Sequence, residues 1–129
     1  MKILTLSLSL LLTWTSFGQE MKYDSGKLFY DNVQITTKMA KVKSISTSMD
    51  ASVAFKKAGV LRGWNVFWGI FGGYELIVGT ANAASGYPIG FVDMGVGALS
   101  IGIIPGRELK RKMWMADGVK KYNAALQNK

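Results

Sequence analysis

The sequence predicts an all-α fold. A short extended segment precedes an amphipathic helix, a glycine-rich apolar helical hairpin and a basic C-terminal amphipathic helix. Three observations predict it. Two apolar, glycine-rich stretches, Val60–Ala84 and Ile89–Ile104, are separated by only a short turn. Segments on either side repeat apolar residues at helical spacing. Lys and Arg flank the apolar pair at both outer ends.

Residues 1–18 have the pattern of an export signal. Lys2 forms a basic n-region, Ile3–Leu12 is an apolar run, and Ser16 and Gly18 place small residues ahead of a cleavage point before Gln19. The apolar run is short for a transmembrane helix, although an uncleaved N-terminal anchor is the alternative. No Cys stands near the cut, which excludes a lipoprotein.

Residues 19–58 begin with turn and strand chemistry. Asp24-Ser25-Gly26 is a turn, and Lys27-Leu28-Phe29-Tyr30 is its extended continuation. A helix is expected next, capped by Asp31 with Gln34 three residues later, and stapled by Tyr30 and Ile35. Ile35, Met39, Val42, Ile45, Met49 and Val53 follow at steps of three or four and define its buried stripe. Lys38, Lys41 and Lys43 lie off that stripe. The many Thr and Ser residues lower intrinsic helicity, so packing must hold this helix.

Residues 59–105 form the hairpin, read as two transmembrane helices. Trp64, Phe67, Trp68 and Phe71 share a face of the first arm, and Ser85-Gly86-Tyr87-Pro88 makes the turn. Gly69 and Gly73 form one small-residue pair, and Gly72, Gly79 and Ala83 another stripe. On the second arm Gly95, Ala98 and Gly102 are the expected packing stripe, with Pro105-Gly106 ending the helix. Glycine costs about 1 kcal/mol against alanine in an exposed helix. Close backbone packing between helices recovers that cost, so the stripes are expected to meet. A nucleotide loop fails on spacing: Gly95-Val96-Gly97 is followed by Ser100 rather than a third Gly.

Residues 106–129 read as a basic amphipathic helix over Arg107–Gln127. Leu109, Met113, Ala116, Val119, Tyr122 and Leu126 form its apolar stripe. Arg107, Lys110, Arg111 and Lys112 are the expected contacts to an anionic membrane surface. The alternative is packing against the Ile35–Val53 helix, with these cations simply solvated. The chain carries +8; loss of Lys2 leaves 15 basic against 8 acidic residues, or +7. That charge favours anionic head groups as partners, and export argues against nucleic acid.

The charge pattern and the signal conflict. Basic residues at both outer ends place those ends in the cytoplasm by the positive-inside rule, whereas a signal delivers everything after Gln19 to the far side. Arg62, Asn65, Glu75 and Asp93 make the hairpin polar enough to cross completely and insert later. Glu75 and Asp93 are the candidate polar intramembrane residues, expected at similar depth near the turn. The alternative places both in the wet interfacial zone near the turn or at a protein contact.

The chain has no His and no Cys. Ser-His and Cys-His nucleophile pairs, zinc sites of the usual ligands and disulfides are therefore excluded. The acids are too scattered to hold calcium. Met113-Trp114-Met115 reads as packing rather than a copper site. No cofactor and no catalytic residue is expected.

Some longer motifs carry a resemblance. Gly26-Lys27-Leu28-Phe29-Tyr30, Gly86-Tyr87-Pro88-Ile89-Gly90, Gly95-Val96-Gly97, Ile103-Ile104-Pro105 and Val119…Tyr122-Asn123…Leu126 are spread over nearly the whole chain after the signal. In this layout it resembles small exported bacterial proteins that are glycine-rich helical hairpins of unknown function. Glu75 and Asp93 depart from the uniformly apolar arms of that group. The expectation is a non-enzymatic, membrane-associated envelope protein with a structural or interaction role, self-associating as a homo-oligomer along its glycine stripes. A pore-forming hairpin and a soluble exported helical binding module are the competing readings.

Overall fold

The structure is a computed structural model that describes residues 20–128. The export-signal expectation lies outside the described residues. The chain is mostly helical, but it also carries a small sheet, which corrects the all-α expectation. The elements run β1 (Met21–Asp24), β2 (Lys27–Tyr30), β3 (Val33–Ile35), α1 (Thr37–Ser44), α2 (Met49–Ala84), α3 (Ile89–Gly102) and α4 (Ile104–Gln127). They divide into two units, one of residues up to Phe55 together with Met115 onward, the other Lys56–Trp114.

In the first unit, β1, β2 and β3 form an antiparallel meander. Asp24 pairs with Lys27 and Tyr30 with Val33, so each hairpin closes in two residues. Those residues have positive φ: Ser25 and Gly26 at 49° and 84°, Asp31 and Asn32 at 52° and 61°. Two-residue turns of this hand match the twist of the strands, and Asp, Asn and Gly tolerate them best. Asp31 therefore serves a strand turn, where a helix cap was expected. Thr36 caps α1 instead, accepting from Met39 N at 3.2 Å, and Ser48 caps α2 through Ala51 N at 3.2 Å.

The expected Ile35–Val53 helix is thus broken twice. Ile35 ends a strand, and a turn separates α1 from α2. Each break resets the helical phase. Met39, Val42, Ile45, Met49 and Val53 consequently face outward, between 42 and 65 % exposed. The buried face is made mostly of smaller residues, Thr37, Ala40 and Ser44, then Ala51, Ser52 and Ala54, with Phe55 as its one large side chain. Ser44 satisfies its hydroxyl internally, donating to Ala40 O at 2.7 Å.

Met115, Gly118, Val119 and Tyr122 of α4 complete this core. A Cβ on Gly118 would lie 2.7 Å from the Phe55 ring, so glycine is what lets α4 approach that ring. Of the expected α4 stripe, Val119 and Tyr122 are buried, whereas Leu109 and Met113 are exposed. The Tyr122 ring meets Tyr30 edge-on at 6.4 Å, and burial beside Tyr30 pushes its hydroxyl pKa up. Asn123 closes β1: its carbonyl accepts from Met21 N at 3.0 Å and its amide donates to Met21 O at 2.8 Å. One side chain thereby satisfies both main-chain groups of an edge-strand residue.

The second unit is the hairpin. Pro105 does not stop its second arm as expected. It occupies the first turn of α4, where the missing N–H has no intrahelical partner to lose. Among the described residues, one helical stretch, Ile89–Gln127, is long and apolar enough to cross a membrane by length and composition. Two such helices were expected. The first arm falls short because Asn65, Glu75 and its many glycines dilute its apolar character.

Candidate functional site

The hairpin is built inside out. Glycine lines the closest approach of α2 and α3, beside Leu76, Met94 and Ile101, while many of the other large apolar side chains point away. A Cβ on Gly79 would lie 2.6 Å from Met94 N and 2.7 Å from Gly90 O. On Gly97 it would lie 2.7 Å from Gly72 O, and on Gly72, 2.9 Å from Gly97 O. On Gly90 it would collide with the backbone N of Ala83. These neighbours are main chain and cannot rotate aside. Ile70, Ile77, Phe91 and Leu99, by contrast, are 70, 73, 69 and 74 % exposed.

The register is a mirror about the turn. Gly72 faces Gly97 and Gly79 faces Gly90, so two glycines seven residues apart on one arm meet two on the other. The same two-turn step continues outward. Ala83 meets Gly90, Leu76 meets Gly97, and Gly69 meets Ile104, where a Cβ would sit at an ordinary 3.7 Å. A polar clasp follows. Asn65 Nδ2 donates to Glu108 Oε2 at 3.2 Å, and Arg111 Nε donates to the same oxygen at 2.8 Å. The hydrogen bond from Arg111 holds the Glu108 carboxyl below the usual carboxylate range.

The expected packing residues divide accordingly. Gly79 is at the contact and Gly69 at its margin. Gly73, Gly95 and Gly102 would meet nothing within 4 Å, and Ala98 is exposed. The contact stripe of α3 is Gly90, Gly97 and Ser100. The signal that finds it is the symmetry of Gly72, Gly79, Gly90 and Gly97 about the turn; small size alone points to the wrong face.

Glu75 and Asp93 are not brought together at one depth. Asp93 Oδ2 accepts from Asn82 Nδ2 at 3.4 Å. Glu75 lies seven residues before Asn82, on the same face of α2 but about 10 Å further from the turn. The serine and threonine hydroxyls of the hairpin bond within their own helices. Thr80 donates to Leu76 O at 2.7 Å, Ser85 to Ala81 O at 2.9 Å and Ser100 to Val96 O at 2.8 Å. Such back-bonding pairs each of these three hydroxyl protons in an apolar medium.

The expected basic contacts also divide. Arg111 is engaged by Glu108, and Arg107 lies over the Trp64 ring with its guanidinium carbon 6.0 Å from the centroid. Lys110 and Lys112 are exposed. Lys57 Nζ sits 4.3 Å above Trp114. Trp64, Phe67, Trp68 and Phe71 form a chain of ring contacts at 5.3–6.2 Å on the same arm. Among the described residues no group of three His, Cys, Asp or Glu side chains converges to hold a metal ion.

No protein-family model, curated protein or solved structure matches the chain.

Proposed function

We propose that this chain is a non-enzymatic membrane protein of the cell envelope, exported, with a structural or interaction role. The inside-out hairpin carries the reading. In water the driving force buries large aliphatics and leaves small residues where they fall. This hairpin does the reverse, and contiguous exposed apolar surface of this kind marks a membrane or partner contact. In a bilayer, packing favours small residues between helices and leaves aliphatics facing lipid. Gly95, Ala98 and Gly102, unused within the hairpin, share one outward face of α3 and supply the stripe for self-association as a homo-oligomer. The exposed lysines of α4 favour anionic head groups as the second partner.

Membranes from cells expressing the full chain, washed first with carbonate and then with high salt, test the reading. Retention through both washes is the expected result. Release by salt would mean that basic residues make the attachment alone, and the membrane-integral reading would fail. A pore is the second reading, favoured by the placement of Glu75, Asn82 and Asp93 along one flank of the hairpin. Vesicles that retain small ions at high protein-to-lipid ratio would eliminate it.

A further inference from the structure

We infer that the hairpin crosses the full apolar thickness of one bilayer, with the turn at one surface and the Asn65–Glu108–Arg111 clasp at the other. This rests on the membrane reading above and adds a depth and an orientation to it. At about 1.5 Å per residue, Asn65 lies about 28 Å from the end of α2 at Ala84, and Glu108 lies about 28 Å from the start of α3 at Ile89. The two arms therefore reach their polar clasp at the same distance from the turn. That distance matches the roughly 30 Å hydrocarbon core of a bilayer.

Charge and aromatic placement agree with the two surfaces. Arg62, Arg107, Lys110 and Lys112 cluster in sequence around the clasp, complementary to anionic head groups. Between Glu75 and Asp93, which spans the turn, no residue is charged. Tyr87 stands at the turn, and Trp64 and Trp114 near the clasp, where amphipathic rings prefer the interface. Pairing covers the glycine face of the first arm with α3, which leaves Glu75 as its charged side chain at mid-depth. Asn65 is engaged at the clasp, outside the apolar thickness.

The absence of cysteine permits a direct test in the full chain. Single variants Ser85→Cys, Tyr74→Cys, Leu99→Cys and Met113→Cys carry a nitroxide in vesicles of mixed zwitterionic and anionic phospholipid. All four positions are exposed, so the label does not enter a core. Tyr74 and Leu99 each lie about 15 Å from the turn end of their arm, at the expected midplane. The expected result is an oxygen-to-nickel collision ratio severalfold higher at Tyr74 and Leu99 than at Ser85 and Met113. Partition into the vesicles with equal, shallow ratios at all four sites would overturn the crossing and leave a hairpin lying flat. Failure to partition at all would overturn the membrane reading with it.

Discussion

Substituting alanine for one hairpin glycine should have opposite effects at contact and open positions. At Gly79 the new methyl would lie 2.6 Å from Met94 N and 2.7 Å from Gly90 O. Ordinary contact begins near 3.4 Å, so the arms must separate by about 0.8 Å. Overpacking of this sort costs about 1–3 kcal/mol, at the upper end where both neighbours are main chain. Alanine recovers about 1 kcal/mol of helix propensity. Gly79→Ala should therefore lose about 1–2 kcal/mol, and Gly97→Ala, 2.7 Å from Gly72 O, should follow it. Gly95→Ala meets open space and should gain about 0.5–1 kcal/mol. Unfolding in mild detergent by added SDS, followed by far-UV circular dichroism, reads the difference. Equal shifts for Gly79→Ala and Gly95→Ala, in either direction, would refute the glycine-to-glycine register.

Other perturbations separate the observed packing from the periodic pattern. Val42→Ser should change stability by less than about 0.5 kcal/mol because Val42 is exposed, whereas Ala40→Leu should cost about 1–3 kcal/mol because Ala40 is fully buried; thermal melts compare them. Asn123→Ala removes both hydrogen bonds to Met21 and should cost about 1–3 kcal/mol, with faster hydrogen exchange at the Met21 amide as the local readout. Glu75→Leu should raise partition into vesicles tenfold or more, since a charge at mid-depth costs about 2.5–3.5 kcal/mol; unchanged partition would place Glu75 in water or against a partner. The Glu108 carboxyl has a lowered pKa in the fold, so its contribution is complete above the ordinary value of 4.5 and is lost as pH falls through the folded value. Glu108→Gln should flatten that acid limb in a pH series of melts.

The proposed self-association along the open face is separable by mutation from hairpin packing. Gly95 and Gly102 face outward, so bulky residues there would block a second copy without forcing the arms apart. The same bulk at Gly72 or Gly79 would strike main chain within one hairpin. The two glycine sets thus face different surroundings, although they are interleaved in sequence.

Helical character, the turn at Ser85–Pro88, the apolar arms and the basic C-terminal helix were legible in the residues alone. These follow from local spacing, turn chemistry and composition, which act over a few residues. Both two-residue strand turns were also present in the sequence, as Ser25-Gly26 and Asp31-Asn32. Asp31 suits either a helix cap or a turn, and only the pairing of β2 with β3 selects the turn. Tertiary structure alone decided which faces are buried. Periodicity located an apolar stripe from Met39 to Val53, but two breaks in the helix turned that stripe outward and put Ala and Ser against the sheet and α4. In the hairpin, size could not choose between Gly95 and Gly97, since both are glycine. The antiparallel register about the turn chose Gly97, because only there does the backbone of the other arm come within 3 Å of where a side chain would begin.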